Sequence, residues 1–276
     1  MKTKNKMLFQ YYGGKYKLLP YIFALFPHHE NFLELFGGSG CVILNKTPCF
    51  GREIYNDIDG NISNLFGVIA NDILFPSFLE KISRLPPIDK RLFREYMTNI
   101  NSGIIEIDLV NRAAKTFYIL NLCFSGNFDC ENLSAGSYKI KVFNNRQKIL
   151  NVVHQRFKKI FVENLDFREC LEKCNNKNFL IYADPPYVPE TRKSGEYRNE
   201  MTIEDHKDLI NLLLDFNGKV VLSGYINDLY KKLEEFGWRR FDIKTKVTCS
   251  QIRKNADRIE SIWLNPQSSE KKGLLF

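Results

Sequence analysis

Phe179-Leu180-Ile181-Tyr182-Ala183-Asp184-Pro185-Pro186-Tyr187 is the stretch from which the rest of the chain is read. Its uncharged first half predicts a strand buried on both faces, as at the centre of a parallel sheet. The two prolines then stiffen a turn and leave carbonyls without neighbouring N–H groups to satisfy. In open α/β sheets ligands bind beyond the carboxyl ends of the strands, so Asp184-Pro185-Pro186-Tyr187 is delivered to the edge of a site. An acidic acceptor, a free carbonyl and an aromatic face suit a flat ring bearing an amino group. Asp184 and the Pro185 carbonyl would accept its two hydrogens while Tyr187 stacks on it. A strand-ending turn with a solvated Asp is the plainer reading of the same residues.

Upstream, Asn31-Phe32-Leu33-Glu34-Leu35-Phe36 reads as a short strand running into Gly37-Gly38-Ser39-Gly40, with a helix to Leu44. A second strand, Phe50 to Tyr55, closes on Asn56-Asp57, and a helix resumes near Gly60. A glycine turn after a first strand lets a ligand approach the backbone and feeds a helix N-terminus. The spacing is neither GxGxxG nor GxxxxGK[ST], which removes a dinucleotide fingerprint and a phosphate cradle. An acid about 20 residues beyond the glycines sits where nucleoside-binding folds hold a ribose. Glycine turn plus ribose acid without a phosphate cradle points to a nucleoside lacking phosphate, and S-adenosylmethionine is such a ligand. An unrelated turn and Asp would read the same way singly.

The alternation of strand and helix predicts a parallel, doubly wound sheet. A helix is expected over 15–26, further helices over about 72–83, 89–100 and 108–122, and a loop-rich stretch from Ser125 to Asn145. Then follow a strand at 160–164, the central strand 179–183, helix 203–215, strand 219–223, helix 227–236, and strands near 239–247 and 258–264. The fold class is α/β, with 1–71 and 159–276 forming the sheet domain and 72–158 inserted.

Charge and composition narrow the function classes. The formal charge is +8 and the pI about 9.0, which suits a polyanionic partner and equally an ordinary basic protein. No run reaches the roughly 18 apolar residues of a membrane span, and the basic Met1 to Lys6 leads into no signal-peptide core. A cytoplasmic protein with no membrane partner is expected. Seven cysteines without paired CxxC motifs, and four histidines, fit buried thiols rather than a disulfide framework. No metal site is expected.

In order along the chain, these motifs resemble the Dam-type family of DNA adenine methyltransferases, whose catalytic motif is Asp-Pro-Pro-Tyr. Tyr11-Tyr12-Gly13-Gly14-Lys15 resembles the family's opening cofactor motif, with Lys15 and the following helix over the methionine end. Glu34, Phe36, Gly37 and Gly38 match its cofactor turn, Asp57 its ribose acid, and Asp166-Phe167 its pair beside the cofactor's adenine. Glu204-Asp205-His206 with Leu209 and Leu212 matches the helix after the catalytic motif, and Arg258-Ile259-Glu260 resembles the closing strand.

The resemblance implies a Rossmann-like class I S-adenosylmethionine-dependent methyltransferase sheet with an inserted, mostly helical target-recognition domain. It implies direct displacement at a sulfonium methyl by the amine of an adenine flipped out of double-stranded DNA. Asn121-Leu122-Cys123-Phe124-Ser125-Gly126 resembles the start of the recognition loop. DNA contacts are expected from Ser125, Asn127, Lys139, Lys141 and Arg146, and from Arg192, Lys193 and Tyr197 after the catalytic motif. The acids of Asn127-Phe128-Asp129-Cys130-Glu131 depart from relatives that carry Arg there, so no target sequence is assigned. A cognate restriction endonuclease system is left open as a partner.

Five other readings share parts of this pattern. Methylation of an RNA base is one; methylation of cytosine would favour Ser, and of a glutamine amide Asn, at the first motif position, where this chain has Asp184. A silent DNA-binding subunit would be free to lose Asp184 or the glycines, and all are present. A nicotinamide oxidoreductase lacks its phosphate cradle here.

Overall fold

The computed structural model describes residues 6–11, 13–123, 133, 137–188, 198–246 and 257–269. Among them, seven strands form one sheet in the order β3-β2-β1-β4-β5-β7-β6. β1 (Asn31–Glu34), β2 (Glu53–Asn56), β3 (Phe161–Glu163), β4 (Phe179–Ala183) and β5 (Lys219–Gly224) run parallel. β7 (Asp257–Leu264) enters antiparallel between β5 and β6 (Arg239–Lys246). The sheet is therefore mostly, not wholly, parallel.

Alternation along the strands assigns the two faces. Phe32, Tyr55, Leu180, Tyr182, Val221 and Ile262 join one buried cluster with α1 (Leu19–Leu25), α2 (Cys41–Asn45) and α3 (Gly60–Ala70). Leu33, Ile54, Ile181, Ala183, Val220 and Leu222 join the other, under α8 (Phe167–Cys174), α9 (Ile203–Leu214) and α10 (Asp228–Glu235). β4 is buried at every position, which explains its unbroken apolar run. Burying a large apolar side chain contributes about 1.5–3 kcal/mol, so both faces are needed to hold the central strands.

Between α3 and β3 lie α4 (Leu74–Ser83), α5 (Lys90–Asn101), α6 (Leu109–Leu122) and α7 (Ser137–Phe157). Their buried apolar residues belong to the same cluster as α1–α3. The end of α7 is fixed to the sheet by charge: Arg156 donates to the Ile43 carbonyl at 2.9 Å and to Glu53 Oε1 at 2.8 Å. Lys46 meets the same carboxylate at 2.8 Å.

Two expectations are corrected. The helix expected over 15–26 begins at Leu19, because Lys15–Leu18 form a turn and Pro20 sits in the first helical turn. The loop-rich stretch expected to Asn145 is helical from Ser137. Before Phe143 that helix presents no buried side chain, and Leu150, Val153, His154 and Phe157 complete a sparse stripe. In its first turns Tyr138, Ile140 and Val142 alternate with polar residues, a period of two that carries no helical signal.

The chain leaves β1 for β2 on one side and returns to β4 on the other. That reversal opens a crevice at the carboxyl ends of β1 and β4, the usual ligand position of a doubly wound sheet.

Candidate active site

The crevice is a cleft lined by the opening turn, the glycine turn and the end of β4. Tyr11, Gly13, Gly14, Lys15, Glu34, Phe36, Gly37, Gly38, Asp57, Asp184 and Pro186 all line it. Residues far apart in the sequence are thus brought together, although Asp166 and Phe167 do not line the cleft. Phe167 packs on Phe36 with ring centroids 5.9 Å apart. Asp166 caps α8, accepting from the Arg168 amide at 2.9 Å.

The glycine turn is held from below. Gly37 N–H donates to the Asn56 carbonyl at 2.8 Å, and Tyr55 OH donates to the Gly38 carbonyl at 2.7 Å. A Cβ on Gly37 would lie 2.2 Å from the Tyr55 ring. Gly38 has φ +49°, a backbone that favours glycine. Asp57, nearly fully buried, accepts from the Gly38 amide at 2.6 Å and the Asp59 amide at 2.8 Å. Burial pushes its pKa up to about 7, against the pull of those two hydrogen bonds.

Glu34 ends β1 and points at the start of α2. It accepts from the Ile43 amide at 2.8 Å and the Val42 amide at 3.3 Å, orphan donors of the first helical turn. Burial raises its carboxyl to about 8; the two amides oppose the shift, and nearby Asp184 and Asp57 add to it.

At the other wall, Lys15 Nζ lies 2.7 Å from Asp184 Oδ1 and 2.9 Å from Glu260 Oε1. It also donates to the Tyr187 hydroxyl at 2.7 Å and the Gly13 carbonyl at 3.1 Å. Burial alone would lower the lysine pKa, but Asp184 and Glu260 outweigh it and hold the ammonium charged. Ser223 donates to Asp184 Oδ1 at 2.8 Å. Burial raises the Asp184 carboxyl above its ordinary value, Lys15 opposing and Glu260 adding to the shift. The Asp184 side chain keeps 18 % exposure, enough to meet a ligand from the cleft.

Tyr187 is held more tightly than a free stacking platform would be. Its ring stacks on Tyr225 at 4.2 Å, its hydroxyl donates to Glu260 at 2.8 Å, and it is 8 % exposed. Pro185 is buried and Pro186 half-buried beside it.

Of the basic residues expected at DNA, Lys139, Lys141 and Arg146 lie on α7. Lys139 donates to the Cys123 carbonyl at 2.9 Å, Arg146 is half-buried, and Lys141 is exposed with Lys148 one heptad on. Asn121 is buried near the end of α6, donating to the Phe117 carbonyl at 2.9 Å. Tyr12, Ser125, Asn127, Arg192, Lys193 and Tyr197 lie outside the described residues.

Sequence reasoning missed several residues of the site. Ile58, half exposed beside Asp57, and Asn199, after the catalytic turn, both line the cleft. Ser223 was hidden inside an apolar strand, and Tyr225 in the turn after it. Glu260 stood only in a closing-strand motif, with nothing local to tie it to Lys15. Among the described residues no His, Cys, Asp and Glu group is arranged to hold a metal ion, and no single helix is long and apolar enough to cross a membrane.

Comparison with known proteins adds a family. Residues 11–252 match the family described as D12 class N6 adenine-specific DNA methyltransferase. The chain is 27 % identical over 221 residues to the DNA adenine methylase of Haemophilus influenzae, covering 76 % of this chain and 75 % of that protein. It is 25 % identical over 228 residues to the DNA N-6-adenine-methyltransferase of Escherichia phage P1, covering 76 % of this chain but 28 % of that protein. It is 28 % identical over 206 residues to Modification methylase StsI of Streptococcus sanguinis, covering 72 % of this chain and 30 % of that protein.

Proposed function

Because the chain belongs to the D12 class of N6 adenine-specific DNA methyltransferases, we propose that it moves a methyl group from S-adenosylmethionine to the exocyclic amine of an adenine rotated out of double-stranded DNA. The observation that carries this reading is the shared cleft: Asp184, at the end of β4, opens into the space that Glu34, Gly38 and Asp57 enclose.

The donor set fits that cofactor. Three carboxylates, Glu34, Asp57 and Asp184, line the cleft against one ammonium, Lys15. A sulfonium and an α-ammonium favour the ionised forms of these acids, whereas a phosphate opposes them. Asp57 would hold the ribose, since each of its oxygens has a lone pair left after the Gly38 and Asp59 amides. Phe36 and Ile58 supply apolar surface for a base, and the Gly13-Gly14-Lys15 turn closes the methionine end. When bound, S-adenosylmethionine supplies an electrophilic methyl group whose carbon–sulfur electron pair returns to the sulfonium sulfur on transfer.

The protein's part is to make a poor nucleophile attack. An aromatic amine delocalises its lone pair into the ring; hydrogen bonds to Asp184 and the Pro185 carbonyl localise it and orient the nitrogen. Positive charge then grows on that nitrogen, where the Asp184 carboxylate stabilises it until a proton leaves to solvent. Ser223 and Lys15 fix the carboxylate's position. Tyr187, braced by Tyr225 and Glu260, forms one wall against the flipped base.

Residues 72–158 are assigned as the target-recognition insertion, with Lys141 and Lys148 on the exposed face of α7 supplying phosphate contacts. The partner is double-stranded DNA in the cytoplasm. Likeness to a protein named as a modification methylase supports a link to a restriction system. Labelled methyl transfer to adenine in unmethylated DNA tests the reading.

A further inference from the structure

We infer that Glu260 is a positioning residue for the transfer: it shares the Lys15 ammonium with Asp184, so that the catalytic carboxylate faces the amine with a net negative charge behind it. The inference rests on the methyl-transfer reading above.

Strand alternation brings the groups together. Glu260 follows the parity of Ile262 and Leu264, and Asp184 that of Leu180 and Tyr182; those four apolar residues lie in the cluster beneath α1. Lys15 opens the turn that leads into α1, so a carboxylate from β7, another from β4 and an ammonium converge at one point. Glu260 is 4 % exposed and does not line the cleft, so it acts through its neighbours. Its Oε1 accepts from Tyr187 OH at 2.8 Å and lies 2.9 Å from Lys15 Nζ.

Charge balance gives the arrangement its consequence. With Asp184 and Lys15 alone, the pair would be neutral, and a cation developing on the amine would meet little net field. Two carboxylates around one ammonium leave one negative charge, which matches the positive charge the nitrogen acquires as the nitrogen–carbon bond forms. Glu260 also keeps the lysine from turning wholly to Asp184, whose second oxygen stays available to the amine. The groups facing Asp184 are Lys15, Glu260 on β7, Ser223 on β5, Tyr182 on β4, Glu34 at the end of β1, Cys41 at the start of α2 and Tyr230 on α10. Removing the Glu260 charge therefore favours the Asp184 carboxylate and lowers its pKa.

The test compares wild type with E260Q, which keeps shape and hydrogen-bonding oxygen but not charge. In single turnover at saturating DNA and S-adenosylmethionine, the rate should fall on the order of 10²-fold with cofactor affinity unchanged. The acid limb of its pH profile should move to lower pH. In the ligand-free protein, the ¹³C titration of the Asp184 carboxyl should move the same way, a readout independent of turnover. E260D, which restores the charge, should recover most of the rate and provides the comparison if E260Q does not fold. Equal rates, or an unmoved Asp184 titration, would overturn the inference. Absence of methyladenine from wild type would instead remove the parent reading, with the titration still deciding the Glu260–Asp184 coupling.

Discussion

The Asp57 carboxylate accepts a 2.6 Å hydrogen bond from the Gly38 amide. One side chain therefore shapes the glycine turn and offers its remaining lone pairs to the cleft. D57A leaves the Gly38 and Asp59 amides without acceptors, a cost of about 1–3 kcal/mol for a buried polar group. It also removes the acceptors offered to the ribose, and a hydrogen bond to a charged group contributes about 1.5–3 kcal/mol, so S-adenosylmethionine affinity should drop by about tenfold or more. Calorimetry giving wild-type affinity would remove Asp57 from the cofactor site.

Cofactor binding should be linked to protons. Burial first, and nearby carboxylates second, raise Glu34 to about 8 and Asp57 to about 7 in the ligand-free protein. A bound cation favours the ionised forms, so binding at pH 7 should release protons and tighten between about pH 6 and 8. The folded state holds these protons more tightly than the unfolded chain, so as pH rises from about 4 to 8 both groups subtract from stability. Calorimetry in buffers of different ionisation enthalpy reads the release directly; binding enthalpies independent of buffer would contradict it.

The glycine turn should resist enlargement. In G37A the new methyl would meet the Tyr55 ring, which is fully buried and tied by its hydroxyl to the Gly38 carbonyl. Overpacking of this kind costs about 1–3 kcal/mol. G67A, inside α3 with nothing within 4 Å of its Cβ, should gain up to about 1 kcal/mol from helix propensity. Denaturant unfolding of the two variants checks both signs; a neutral G37A would mean that the turn relaxes.

Removal of the catalytic acid should separate chemistry from binding. D184A leaves Lys15 with Glu260 as counter-ion, so the opening turn keeps its anchor and cofactor binding should persist. Transfer should fall at least on the order of 10²–10³-fold. Unchanged turnover under saturating substrates would take Asp184 out of the mechanism.

The contrast between Asp184 and Glu260 shows how much of the site was legible in the sequence. Asp184 follows an apolar run and precedes two prolines, a local pattern with one structural meaning. Gly37, Gly38 and Asp57 likewise announce a turn and its acid at a fixed spacing. Glu260 reaches the same point only because β7 inserts antiparallel beside β5, with Gly224 opposite Ser261; no window of sequence carries that pairing. Helix α7 escaped for a related reason, since its early turns bury nothing. Tyr187 was legible as part of a motif, yet its stacking on Tyr225 depends on how β5 ends.

The most direct test is incubation of the full chain with methyl-labelled S-adenosylmethionine and unmethylated genomic DNA. Mass spectrometry of the nucleosides and mapping of the modified positions follow. The expected result is N6-methyladenine at a defined sequence, absent from D184A. Label confined to cytosine or to added RNA, or no transfer at all despite bound cofactor, would contradict the assignment.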